Sequence, residues 1–250
     1  MTVDTAEVPS GLRVYAIGDI HGRVDLLRTL HQQISADAAQ CDPAIRKLAI
    51  YLGDYVDRGL HSREVLDVLV RERMPGIDSV HLRGNHDHEF LSFLEDPVKS
   101  SAWLNYGGDA TIYSYGVRLP AETPAEDRLA LLGERLRAAV PADHVAFLAG
   151  LPYTCEVGDY LFVHAGIDPD KPMDQQTSED ILWIRDAFLE ADCDFGKVVV
   201  HGHSVTELPE VRENRIGIDT GTCYTNALTC LVLQGGRYGF LSTRDPQTLT

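Results

Sequence analysis

The chain is poor in several things. Five cysteines occur in 250 residues (Cys41, Cys155, Cys193, Cys223 and Cys230). The number is odd and no two form a CxxC pair, so neither a disulfide framework nor a zinc knuckle is expected. The N-terminal MTVDTAEVPSG has no basic region followed by an apolar run, so it does not read as a signal peptide. No apolar stretch approaches the ~18 residues that a membrane span requires, and a reducing cytoplasm is the expected compartment. Basic residues are also scarce: 22 Lys and Arg stand against 38 Asp and Glu, a formal net charge of −16. A surface so acidic excludes a general binder of nucleic acid or anionic membrane, since those need clustered cations. Any phosphate site must carry strong local positive charge. Internal repeats and low-complexity segments are not found either.

What remains, 44% apolar and 24% charged, fits one globular domain over residues 1–250 with a mainly helical lobe at about 89–150. The first ten residues read as a loose tail. Residues 13–17, 47–52 and 78–82 read as buried strands. Helical spacing of apolar residues follows the first two, over 23–39 and 62–73. Strand, loop and helix in alternation predict α/β units with parallel strands, whose carboxyl ends are where ligands bind. In the lobe, NYGGDATIYSYG reads as a break between helical parts and 120–124 as a surface turn. After Gly150 the pattern is β-rich, with strands over 153–157, 160–164, 197–201, 215–219, 227–233 and 238–241. Hairpin turns are expected at 157–159 and 235–236.

The chemistry sits at strand ends. GDIHG supplies Asp19 and His21. GDYVDRG supplies Asp54, Asp57 and Arg58. RGNHD supplies Arg83, Asn85, His86 and Asp87. VHAG supplies His164, and VHGHS supplies His201 and His203. Asp, His and Asn are donors suited to Mn, Fe, Zn or Mg. Three loops with carboxylates and three with histidines exceed the needs of one ion. Two ions roughly 3.5–4 Å apart would use them all, with one carboxylate shared. Asp54 is the expected shared carboxylate. Asp57 would face back toward His86, keeping it protonated as a general acid, and the planar fork of Arg58 suits phosphate. His201 and His203 fall on one side of an alternating strand, so periodicity does not choose between them.

In order and spacing these signatures resemble the PPP-family serine/threonine protein phosphatases, within the calcineurin-like metallophosphoesterases. SAWLNYGGDATIYSYG, LWIRDAFL and HGHSVTELPEVRENRIGIDTG resemble the bacterial and phage members. The resemblance spans residue 13 to about 233. It implies an α/β fold of two mixed sheets packed as a sandwich and flanked by helices. It implies a first divalent ion on Asp19, His21 and Asp54, and a second on Asp54, Asn85, His164 and His203, with Mn²⁺ the expected metal and Fe or Zn alternatives. His203 is chosen because the family's ligand directly follows the glycine, here Gly202. His86 with Asp57 match the catalytic dyad, and Arg58, Arg83 and Arg185 the substrate-binding arginines. One departure is GHS where relatives often have GHT. The implied activity is phosphomonoester hydrolysis on phosphoproteins, with water as nucleophile and no phosphoenzyme, by a protein expected to be monomeric. Two alternatives stand beside it: a dinucleoside tetraphosphate hydrolase, whose members tend to lack the Asp57 position, and a non-catalytic phosphate-binding module.

Overall fold

The structure, a computed structural model, describes residues 1–244. Strand β1 (Leu12–Ile17) is followed by helix α1 (Val24–Ala39), β2 (Arg46–Tyr51), α2 (Ser62–Arg71) and β3 (Asp78–His81). Helices then run from Asn85 to Ala149: α3 (Asn85–Glu95), a 3₁₀ turn over Ser101–Tyr106, α4 (Gly108–Ser114), α5 (Arg128–Ala139) and α6 (Ala142–Ala149). The second half contains β4 (Thr154–Val157), β5 (Tyr160–Val163), α7 (Ser178–Trp183), α8 (Asp186–Leu189), β6 (Val198–His201), β7 (Glu210–Val211) and β8 (Arg215–Gly217). It closes with α9 (Thr222–Thr225), β9 (Thr229–Gln234) and β10 (Arg237–Ser242).

The strands form two mixed five-stranded sheets, ordered β10-β9-β1-β2-β3 and β4-β5-β6-β8-β7. In the first, β1, β2 and β3 are parallel and the hairpin β9–β10 is antiparallel. In the second, β5, β6 and β8 are parallel and β4 and β7 are antiparallel edges. Alternation decides the layers. Val14 and Ala16 of β1 face Phe162, Val200 and Ile216 of the other sheet in an inter-sheet core. Tyr15 and Ile17, one residue out of step, join a second core with Leu27, Leu30 and Leu66 of α1 and α2. A third, smaller core lies outside the second sheet, under α7 and α8. The α/β sandwich with flanking helices is therefore as expected. Among the described residues no helix is long and apolar enough to cross a membrane.

Two local readings need correction. The first ten residues are not loose: Val3, Ala6 and Val8 are buried in the inter-sheet core, and Val3 N–H donates to Glu213 O at 2.8 Å. Turn residues separate these apolar side chains, so no periodicity announced them. The NYGGDATIYSYG stretch contains helix α4. Gly107, at φ 102°, turns the chain, and Gly108 then packs its bare Cα on the Trp103 ring, letting a new helix start at once.

Candidate active site

Both sheets deliver the carboxyl ends of their parallel strands to one edge. Asp19 and His21 follow β1; Asp54, Asp57 and Arg58 follow β2; Asn85 and His86 open α3 after β3. His164 follows β5 and His203 follows β6. The backbone there is strained. Among the described residues six non-glycines have positive φ, and five are here: His21, Asp54, Asp57, Arg58 and His203, between 46° and 72°. Each such position costs on the order of 1–3 kcal/mol and persists only where the surroundings impose it. Gly84 shows why the turns are so tight: a Cβ there would lie 2.1 Å from Asp54 Oδ1.

Asp54 is the hub. It is 1% exposed, and its Oδ1 accepts the His86 backbone N–H at 3.0 Å. Its carboxylate lies 3.5 Å from His21 Nε2 and 3.4 Å from His164 Nε2. Donor atoms of His21, Asp54 and His86 form one compact buried group, and those of Asp54, His164 and His203 a second, each within 4.8 Å. Burial acts against the charge on Asp54, yet the surrounding histidines hold its pKa well below the ordinary value. Burial lowers His21 to about 3, His203 to about 2, and His164 as well. These imidazoles are neutral at pH 7, the form that ligates.

The donor set suits cations. His21 Nδ1–H donates to Val56 O and His164 Nδ1–H to Leu52 O, both at 2.9 Å, leaving each Nε2 with a lone pair turned inward. Asn85 Oδ1 stands 2.8 Å from His164 Nε2 and 3.0 Å from His203 Nδ1. Acceptors thus converge around Asp54, and His203 Nε2 is buried without a hydrogen-bond partner. His203, not His201, is among them. The turn at Gly202 and φ 60° at His203 break strand alternation, while His201 is buried edge-on to Phe188 at 5.1 Å and lies beside Arg215. Asp19 accepts the His203 backbone N–H at 3.1 Å, which ties the ends of β1 and β6 together.

The dyad is built from further away. His86 Nδ1 lies 2.7 Å from Asp57 Oδ2. Asp57 is fully buried; Trp103 Nε1–H and Thr111 Oγ1–H donate to its carboxylate, each at 2.6 Å, and Ser62 and Thr111 hydroxyls accept its backbone N–H. Burial lowers the pKa of His86, but the Asp54 charge and the Asp57 bond outweigh it, so the net shift is upward.

Arg58 is half-buried and points its two terminal nitrogens at His21 Nε2 (2.8 Å) and His86 Nε2 (3.1 Å). Arg185 reaches His203 O and Ser204 Oγ. Arg83 is placed differently from the expectation. Its donors serve Leu148 O, Ala149 O and Tyr153, bracing the end of α6, and none of these partners is in the cluster. Carbonyls in the last turn of a helix run out of regular i+4 partners and attract the guanidinium.

Sequence reasoning gave no role to three supports. Trp103 and Thr111 hold Asp57 from the helical region. Asp87 accepts the backbone N–H groups of Gly84, Asp54 and Tyr55 at 2.8–3.0 Å, locking the Asp54 turn to α3. It stands third in that helix, where a carboxylate caps the N-terminus, and this was the readable signal.

A buried array of carboxylates and neutral imidazoles at the carboxyl edge of a two-sheet sandwich, with arginines beside it, is the site of a metal-dependent phosphoesterase. The chain belongs to the calcineurin-like phosphoesterase family, whose profile matches residues 12–224. That family uses a dinuclear divalent metal centre, and the chain carries the candidate donor groups. Among its relatives, the bis(5'-nucleosyl)-tetraphosphatase PrpE [asymmetrical] of Halalkalibacterium halodurans is 23% identical over 246 residues, covering 92% of this chain and 94% of the relative. Serine/threonine-protein phosphatase 2 of Escherichia coli is 36% identical over 96 residues, 38% of each chain. A crystal structure provisionally assigned as a diadenosine tetraphosphatase superposes with a TM-score of 0.63 at 20% identity, covering 96% of this chain and 99% of the other. At that identity it supports the fold alone.

Proposed function

We propose that the protein hydrolyses dinucleoside tetraphosphates asymmetrically. The observation that carries this is coverage: the tetraphosphatase relative aligns along nearly the whole of both chains, whereas the E. coli phosphatase aligns over 38%. In this reading one cation is held by Asp19, His21 and Asp54 and the other by Asp54, Asn85, His164 and His203. The nitrogen and oxygen donors favour Mn²⁺, with Fe or Zn as alternatives. When bound, the ions lower the pKa of a water toward about 7 and neutralise phosphoryl oxygens. The chain's own residues do the rest. Arg58 offers two N–H groups to the reacting phosphate, and Arg185 stands near His203. Together they supply the local positive charge that an acidic chain needs to admit a polyphosphate. His86 carries a proton toward the leaving oxygen, and Asp57 orients the ring and holds that proton.

A second reading, a serine/threonine protein phosphatase, is favoured by one specific observation: the buried Asp57–His86 pair at 2.7 Å. A nucleotide leaves as a stable phosphate anion and needs little protonation, whereas a serine alkoxide needs an acid. Comparing kcat/KM on diadenosine tetraphosphate with that on a phosphoserine peptide, with Mn²⁺ present, separates them. We expect the tetraphosphate to be preferred, giving ATP and AMP; a phosphopeptide preferred tenfold or more refutes the proposal.

A further inference from the structure

Asp219 has no part in the donor sets above, yet it stands against one of them. Strands β1 and β8 belong to different sheets, but their ends touch: a Cβ on Gly18 would lie 2.6 Å from Ile218 O. The residues that follow, Asp19 and Asp219, are therefore brought close together where the two strands end. The backbone of Asp219 is pinned from both directions. Ile218 N–H donates to His201 O at 2.9 Å, and Asp219 O accepts Thr206 N–H at 3.0 Å. The side chain is 2% exposed. Its Oδ1 accepts the Gly221 N–H at 2.9 Å, while Oδ2 is buried without a hydrogen-bond partner.

The bond to Gly221 closes a turn, and an asparagine would close it equally well. It does not account for a carboxylate, nor for an unpaired oxygen beside Asp19. Two neighbouring buried carboxylates repel unless positive charge lies between them. Arg58 turns its terminal nitrogens to His21 and His86 instead. Gly202 leaves room for the arrangement, since a Cβ there would lie 2.1 Å from Asp19 Oδ1.

We propose that Asp219 presents Oδ2 to the same cation as Asp19, as a further protein oxygen of the site formed by Asp19, His21 and Asp54. The proposal rests on the two-cation reading. It makes the two sites unequal. The first has three carboxylates and one imidazole; the second has a shared carboxylate, an amide oxygen and two imidazoles. The first is the harder and more negative, so it fills first and favours Mn²⁺ or Mg²⁺ over Zn²⁺ more strongly than the second.

The test is equilibrium dialysis of the full chain against graded Mn²⁺, with bound ion read by elemental analysis and free ion by its paramagnetic resonance signal, and no substrate present. Asp219→Asn should weaken one of two Mn²⁺ equivalents by about 10–100-fold, the usual loss for a group supporting a metal site, and leave the other unchanged. Both equivalents binding as in the wild type would overturn the proposal. Asp54→Asn runs alongside. If it weakens binding and Asp219→Asn does not, Asp219 alone is misassigned; if neither does, the two-cation reading falls and this inference with it. Circular dichroism is read first. Asp219→Ser, which keeps an oxygen for Gly221 but no carboxylate, makes the same test should the amide variant not fold.

Discussion

Asp57→Asn is the most informative single change. Asp57 is fully buried and touches His86 Nδ1 at 2.7 Å. The amide fits the same space. Its oxygen can keep the Trp103 and His86 donors, and its NH₂ can face Thr111 Oγ1, which turns from donor to acceptor. What is lost is charge. An opposite charge in contact shifts a pKa by about 1–3 units, equivalent to about 1.4–4 kcal/mol. The sign follows from His86, whose pKa is raised in the native site. Its acid form is present below that pKa and is lost as pH rises through it. Removing Asp57's charge lowers the pKa, so the basic limb of kcat/KM should move down by about 1–3 pH units. On a phosphoserine substrate, at a pH above both limbs, the rate should fall by about 10–1000-fold; on a tetraphosphate it should change little. The assay is a pair of pH–rate profiles, wild type against variant, on both substrates. Equal losses on the two substrates, or an unmoved basic limb, would refute the acid assignment.

Other changes give simpler readings. Asp54→Asn should weaken both cation sites and abolish turnover; retention of two ions with normal activity, by elemental analysis and assay, contradicts the shared-carboxylate reading. His203→Ala should lose the second ion and nearly all activity. His201→Ala should keep both ions and cost far less, and a metal titration with the reverse pattern exchanges the two assignments. Acid should destabilise the fold between about pH 6.5 and 4. His31 and His81, which pack on Tyr51 away from the cluster, are each lowered by burial to about 4. A depressed histidine pKa means the unfolded chain binds more protons in that window, so stability is present above it and lost as pH falls. Each histidine contributes about 3 kcal/mol by pH 4. The urea midpoint should drop steadily from pH 7 to 5, and His81→Phe should flatten the slope; an invariant midpoint contradicts this.

Much of this was legible because the chemistry is local to strand ends. GDIHG, GDYVDRG and RGNHD each place polar donors directly after an apolar run, with glycines that permit the turns. Alternation in β1 separates Val14 and Ala16 from Tyr15 and Ile17 with no further information. Long-range supports were not legible. Trp103 and Thr111 lie 46 and 54 positions from the Asp57 they hold, and no spacing rule links them. Strand β7 has two residues, too few to show a period. Arg83 reads as a phosphate ligand from the resemblance of its RGNHD motif to the family's. Its guanidinium is long enough to reach the end of α6 instead, and such reach is invisible to motif reading.

The helical stretch between β3 and β4 braces the Asp57 turn. Asp57 lies in a turn with positive φ, followed by Arg58 in the same conformation, and a turn so strained would relax without outside restraint. Ser62 at the start of α2 supplies part of that restraint. Trp103 and Thr111 supply the remainder, and the Gly107 carbonyl accepts the Arg58 backbone N–H at 3.1 Å. Asp57 and Arg58 thus hang on the same short piece, residues 103–111. Its Trp103 is anchored by Phe90 and Phe93 of α3, with ring centroids 5.5 and 4.8 Å away. Since α3 also presents Asn85 and His86, one helix carries both of these residues and the aromatic seat of Trp103, which holds Asp57. On the proposed function, displacement of α3 would therefore disturb cation binding and proton donation together.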